Sequence, residues 1–161
     1  MKTAEDILRT KTKPLKISIA PERTLAEAVT MMNRAGVGAI LVEKEPDQIV
    51  GIWTERDLLR SAAEPGFDIQ TASVGDHMHS RLFNAAHDTP LIKLEEMFLG
   101  LFIRHIVILK EGRFLGLLSI GDVLRASLLE KDLTLKKLNK IASWQYYENW
   151  GWDRNKGRSR D

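Results

Sequence analysis

Two short stretches of this chain place a side-chain hydroxyl three residues ahead of an aspartate: Thr54-Glu55-Arg56-Asp57 and Ser119-Ile120-Gly121-Asp122. Each follows a glycine and two apolar residues, Gly51-Ile52-Trp53 and Gly116-Leu117-Leu118. Each runs on into an apolar pair and an arginine, Leu58-Leu59-Arg60 and Val123-Leu124-Arg125. Where a strand gives way to a helix, a hydroxyl and a carboxylate at this spacing cap the first helical turn, a local stabilisation of about 0.5–2 kcal/mol. The other chemistry-bearing group is Asp76 with His77, His79 and His87. Neutral imidazole is a common metal ligand, but His77 and His79 share a side only if that stretch is extended. Linker histidines with ordinary roles are the reading taken, and no metal is expected. There is no Ser–His or Cys–His nucleophile arrangement, and the Asp76 group lacks the spacing of a hydrolase. An enzyme is therefore not expected.

The two stretches belong to a longer repeat. Leu25 matches Leu91, Met31 matches Met97, Val37 matches Ile103 and Ile40 matches Ile106 at one constant offset, which shortens by one residue in the loop after Val42. Such self-similarity means two copies of one supersecondary unit, each needing the other to bury its apolar face. In the first copy, Leu15–Ile19 alternates like a short strand. Thr24 and Glu27 stand in capping-box register, and Leu25, Ala28, Val29, Met32 and Ala35 share a helical face that Gly36 ends. Val37–Val42 reads as a buried strand, Glu43–Gln48 as a charged turn, Ile49–Trp53 as a strand, and a helix starts at Thr54. The second copy reads as a strand at Leu82–Ala85, a helix from Thr89 to Gly100, strands at Ile103–Leu109 and Phe114–Leu118, and a helix from Ser119. The stretch Ala85-Ala86-His87 makes a poor strand. Short strands separated by helices predict a mixed α/β fold of two pseudo-symmetric β-α-β-β-α repeats packed as one module. The expected boundaries are 1–63 for the first repeat, 64–81 for a linker and 82–130 for the second repeat. Residues 131–161 form a C-terminal segment.

That segment has no counterpart in the first repeat. Leu124, Leu128, Leu135, Leu138, Ile141 and Ala142 recur at helical spacing, predicting a long amphipathic helix bent near Thr134. It leads into an aromatic cluster, Trp144, Tyr146, Tyr147, Trp150 and Trp152, and a basic tail with Arg154, Lys156, Arg158 and Arg160. Three roles suit the aromatics: core, a dimer or partner surface, or stacking on single-stranded nucleic acid. A net charge of +2 is too small to argue for nucleic acid. With no cysteine in 161 residues, a disulfide framework is excluded. No apolar run reaches the roughly 20 residues of a membrane span. The first eight residues lack the apolar core of a secretion signal, so a cytoplasmic location is expected.

Gly-h-h-[Thr/Ser]-x-x-Asp, present at Gly51–Asp57 and Gly116–Asp122, resembles the signature of cystathionine-β-synthase (CBS) domain pairs. Val74-Gly75-Asp76-His77-Met78 resembles the family's link into a repeat, and Asp6-Ile7-Leu8 is a weaker echo. The similarity covers about residues 5 to 130. It implies a regulatory module with two clefts for adenosine-containing ligands, and a disc-like homodimer. Under that implication Asp57 or Asp122 takes the two hydroxyls of a ribose. Thr54 or Ser119 donates to a phosphate, helped by the helix N-terminus. Adenine lies against Ile17-Ser18-Ile19 or Phe83-Asn84-Ala85, with Gly38, Ala39 and Ile40 and the equivalent Arg104, His105 and Ile106 alongside. Gly38 allows close approach to the backbone. Arg56 meets phosphate in one cleft, and Arg104 and His105 in the other or across the pair, a surface or dimer-contact role suiting those two equally; Arg60 and Arg125 read as solvated. Asn84 stands where the first repeat has Ser18, so the site around Asp57 is favoured.

The function expected is a non-enzymatic sensor. It needs no cofactor, takes AMP, ADP, ATP or S-adenosylmethionine as a regulatory ligand, and signals to a separate, unknown protein partner. A homodimer is expected; nucleic acid and membrane are not. The alternative is a structural or interaction module with vestigial clefts, acting through the C-terminal amphipathic and aromatic segment.

Overall fold

Two three-stranded sheets, one per repeat, carry the fold of this computed structural model. The structure describes residues 1–150, with side chains through residue 140; the side chains of the aromatic cluster Trp144–Trp152, and the basic tail, lie outside what is described. In the first sheet β1 (Ser18–Ile19) runs parallel to β2 (Ala39–Glu45), which pairs antiparallel with β3 (Gln48–Thr54). The second repeats this with β4 (Asn84–Ala86), β5 (His105–Lys110) and β6 (Arg113–Ser119). Helices α2 (Leu25–Ala35) and α5 (Leu91–Leu101) connect the parallel strands, and α3 (Glu55–Ala62) and α6 (Ile120–Trp150) follow the third strands. The β-α-β-β-α order expected from the repeat is the order found.

Local chemistry explains the α2 boundaries. Thr24 and Glu27 form the expected capping box, and Gly36 closes the helix in the left-handed conformation at φ 62°. Leu25, Ala28 and Met32 turn to the first half's core, where they meet Ile19, Ile40, Val42, Trp53 and Val74. The second repeat departs from the pattern. Pro90 rather than Thr89 precedes α5, and its left-handed closing residue is Phe102, at φ 52° and 92% exposed.

Other limits moved. The first strand is two residues long, not the five of Leu15–Ile19. Strand β2 extends through the expected turn to Glu45, leaving Pro46 and Asp47 to reverse the chain, with Asp47 at φ 62°. The weak Ala85-Ala86-His87 pattern does form a strand, because β5 supplies a parallel partner along Asn84–Ala86. The bend expected near Thr134 is not seen as a break: α6 runs continuously from Ile120 to Trp150, with the Thr134 hydroxyl donating to the Glu130 carbonyl at 3.0 Å. The chain divides into two units, Met1–Val123 and Leu124–Asp161. In the second, Leu124, Leu128, Leu135 and Leu138 are exposed along the helix.

Two short helices, α1 (Ala4–Arg9) and α4 (Val74–His77), lie outside the predicted elements. Helix α1 leads into the first half but packs on the second, and α4 leads into the second half but packs on the first. Helix α1 is bonded to the second half: Ala4 N–H donates to the Thr89 carbonyl at 2.9 Å and Glu5 N–H to the His87 carbonyl at 2.8 Å. Helix α4 is bonded to the first, through Val74 N–H to the Arg23 carbonyl and Gly75 N–H to the Pro21 carbonyl, both 2.8 Å. The signature glycines make room for these contacts. A Cβ on Gly116 would stand 2.8 Å from Leu8 Cδ2, and one on Gly51 would collide with Met78 and stand 2.9 Å from the His79 carbonyl.

Behind β1, Glu43 accepts from Lys16 Nζ at 2.8 Å and from the Ser18 hydroxyl at 2.5 Å. The Lys16 ammonium first, then the Ser18 hydroxyl, hold its carboxyl down from the ordinary 4.5 to about 2, against the opposing effect of burial. An acid lowered in this way stabilises the fold above about pH 4.5, and the contribution is lost as pH falls through about 2. Glu43→Gln should therefore flatten the acid limb of stability across that window, read as urea midpoints at successive pH values.

Candidate functional site

Strand β3 delivers Thr54 to the start of α3, and there its backbone N–H and its hydroxyl both donate to Asp57 Oδ2 at 2.9 Å. The other Asp57 oxygen meets His79 Nε2 at 2.6 Å, and Asp57 is 6% exposed. The Thr54 hydroxyl proton is thus committed to Asp57 rather than presented to solvent. At the equivalent start of α6, Ser119 N–H and Oγ both donate to Asp122 Oδ2 at 2.8 Å, and Asp122 N–H returns a bond to Ser119 Oγ at 3.2 Å. The junctions match in backbone too: Glu55 N–H donates to the Gly38 carbonyl and Ile120 N–H to the Arg104 carbonyl, both at 3.0 Å.

Between these junctions lies a cleft of about 690 Å³. Of the residues singled out by sequence, it gathers Gly38, Thr54, Arg56, Asp57, Phe83, Arg104, His105 and Ser119. Ile17, Ser18, Ile19, Ala39, Ile40, Asn84, Ala85, Ile106 and Asp122 are not in its lining. Ile40 and Ile106 are wholly buried in the sheets, and Ser18 is turned to Glu43. Phe83 therefore joins Asp57 in one cleft: the entry to the second repeat faces the motif of the first. The pairing follows from the backbone, since His79 and Ile52 exchange hydrogen bonds at 2.8 and 2.9 Å and lay residues 79–83 beside the end of β3.

Charge in the cleft is lopsided. Arg56, Arg60, Arg81 and Arg104 line it, against the carboxylates of Glu55 and Asp57. Arg81 stacks its guanidinium 5.5 Å from the Phe83 ring centroid. His105 adds no charge at neutral pH: burial first, then the nearby Lys11 and Arg104 cations, push it down to about 4, against the pull of Asp122. It offers a neutral ring, and the guanidinium groups carry the positive field.

Three cleft residues, His79, Arg60 and Arg81, are not marked as binding residues by the sequence pattern. His79 and Arg81 lie in the linker, and His79 meets Asp57 only through the β3 edge pairing; Arg60 lies one helical turn after Asp57, 3.8 Å from its Oδ1. The histidines that suggested a metal are dispersed: His77 Nδ1 lies 3.0 Å from the Ser73 carbonyl, His79 pairs with Asp57, and His87 Nδ1 lies 2.9 Å from Glu5. Among the described residues no group of three or more His, Asp or Glu side chains could hold a metal ion. No helix among them is long and apolar enough to cross a membrane.

The family model described as the CBS domain matches residues 4–64 and again 74–129. A mitochondrial CBS domain-containing protein of Arabidopsis thaliana, CBSX3, is 33% identical over 151 residues, spanning 89% of this chain and 73% of its own length. The crystal structure of the CBS-domain containing protein ATU1752 from Agrobacterium tumefaciens superposes with a TM-score of 0.70 at 30% identity, covering 78% of this chain and 98% of that one. The Pyrobaculum aerophilum CBS domain protein PAE2072, solved in complex with AMP, gives 0.68 at 25% identity, covering 80% and 97%.

Proposed function

The chain belongs to the CBS-domain family and carries two such domains in tandem, and from that premise we propose that it is a non-catalytic sensor of an adenine nucleotide, held in the Asp57 cleft. The carrying observation is the meeting, in one cleft, of the Asp57 carboxylate with four arginines. A carboxylate of fixed orientation accepts the two hydroxyls of a ribose, and guanidinium groups bind phosphate oxygens in pairs. His79, 54% exposed on its side chain, rotates out of the way and yields Asp57 Oδ1 to the ribose. The AMP held by the Pyrobaculum relative supports the adenine assignment. Four cations favour a phosphate-bearing ligand over S-adenosylmethionine, whose sulfonium and ammonium groups are themselves positive.

Signalling follows by population shift, the ligand favouring one arrangement of the two repeats over another. Residues Ile120 and Gly121, at the start of α6, line the cleft. We assign the output to a separate protein partner and the working form to a homodimer.

Thermal unfolding of protein stripped of carried-over ligand tests this reading. AMP, ADP or ATP at about 100 times its dissociation constant should stabilise by roughly 2.7 kcal/mol, or roughly 5–10 °C. S-Adenosylmethionine should shift the midpoint least. No shift with any of the four would leave a protein-interaction module with vestigial clefts as the better reading.

A further inference from the structure

The two repeat carboxylates are held by different companions. Asp57 meets an exposed imidazole; Asp122 meets Lys11, whose Nζ lies 3.0 Å from Asp122 Oδ2. The same ammonium donates to the Leu117 carbonyl at 2.7 Å. The Lys11 side chain is 8% exposed against 54% for His79, while both carboxylates are buried, Asp122 at 16% and Asp57 at 7%. We propose that Lys11 is a built-in occupant of the Asp122 end of the cleft, so that the chain takes one nucleotide, at Asp57, and the Asp122 end is closed from within. The nucleotide count rests on the reading of function given above; the closure rests on the Lys11 geometry alone.

Several observations converge on the closure. Lys11 cannot swing away as His79 can, because the backbone leading to it is tied down. Helix α1 is bonded to Thr89 and His87, and Leu8 fills the space above Gly116. Displacing the ammonium would also strand it, and leaving a buried charge without its partner is costly. Asp122 is held as an anion to match. Burial would raise its carboxyl, but the Ser119 N–H and hydroxyl and the Lys11 ammonium outweigh that and lower it. The base-facing strand of this end is committed as well, since Ser18 donates to Glu43 and Lys16 bridges Glu43 and Asp47. Its counterpart in the other repeat, Asn84, is exposed. Finally, Ser119, Ile120 and Gly121 line the cleft while Asp122 does not. A ribose arriving at this end would find its carboxylate turned away and already paired.

Amine labelling of the whole protein, followed by mass spectrometry, tests the closure without any nucleotide. Lys11 should acetylate at least about tenfold more slowly than Lys93, since its reaction requires local opening, and Asp122→Asn should remove much of that protection. Calorimetric titration with the best-binding adenine nucleotide then tests the count. Wild type should bind one per chain, and Lys11→Ala should add a second site that is lost on further substitution of Asp122. Rapid labelling of Lys11 in the wild type would overturn the closure. So would two nucleotides per wild-type chain, or a Lys11→Ala variant that folds and still binds one. If no nucleotide binds while Lys11 remains protected, the sensor reading fails and the closed end stands. The labelling and the wild-type count hold even if Lys11→Ala does not fold.

Discussion

Asp57→Ala is expected to erase nucleotide-dependent stabilisation, and Asp122→Ala to leave it intact. The contrast is informative because both aspartates have the same local duty. Each accepts two bonds from the hydroxyl residue three positions earlier, so each substitution should cost the unliganded protein about 0.5–2 kcal/mol of helix capping, with a further cost at Asp122, where the buried Lys11 ammonium loses its partner. What separates them is the ligand. Two ribose hydroxyls donating to a carboxylate contribute about 1.5–3 kcal/mol each. Their loss at Asp57 should weaken binding by a factor of roughly 10²–10⁴. Thermal shift and calorimetry on the two variants, side by side, read this directly. Equal loss in both would mean that the two ends of the cleft act alike and that Lys11 closes nothing.

The second large effect is structural. Trp53 is wholly buried among Ile19, Leu25, Met32 and Ile40, one residue before Thr54. Trp53→Ala should cost about 3–5 kcal/mol, a large share of the roughly 5–15 kcal/mol that domains possess. The midpoint should fall by roughly 10 °C. Trp53→Phe should be far milder, for a reason beyond size. The indole N–H is buried and finds no hydrogen-bond partner among the described residues. Removing an orphaned donor relieves about 1–3 kcal/mol of desolvation, which offsets much of the lost contact. If Trp53→Phe proves as damaging as Trp53→Ala, the indole has a partner, such as an ordered water, and is satisfied.

What could be read from the residues was whatever a short window encodes. The Thr24–Glu27 cap, the Gly36 helix end and the two Gly-h-h-[Thr/Ser]-x-x-Asp junctions each depend on neighbours a few positions apart, and all formed as expected. Strands β1 and β4 were poorly bounded because two or three residues are too few to show alternation; parallel pairing with β2 and β5 defines them. Phe102 occupies a position where Gly36 had suggested glycine, and no periodicity reveals that a bulky residue will adopt the left-handed conformation there. The make-up of the cleft was the least legible part. Phe83 faces Asp57 because residues 79–83 cross to the edge of the first sheet, and Lys11 reaches Asp122 because α1 crosses to the second. Both crossings depend on space above Gly51 and Gly116. A motif shows that the glycine is there, but not which distant segment uses the room.

That crossing of leading segments sets an order of events during synthesis. Everything the first half needs, from β1 through His79, is contiguous, and it can close as soon as that stretch has left the ribosome. Helix α1 emerges earlier still, yet its partners lie at the far end: Lys11 is 106 residues from the Leu117 carbonyl it binds. Contacts of such long sequence separation form slowly, after the local ones. Until β6 is made, Leu8 lacks the Gly116 surface it covers, and helix α1 docks onto the second half only when that half exists. The earliest helix to be made thus waits for partners made long after it, and Lys11, just past its end, waits with it.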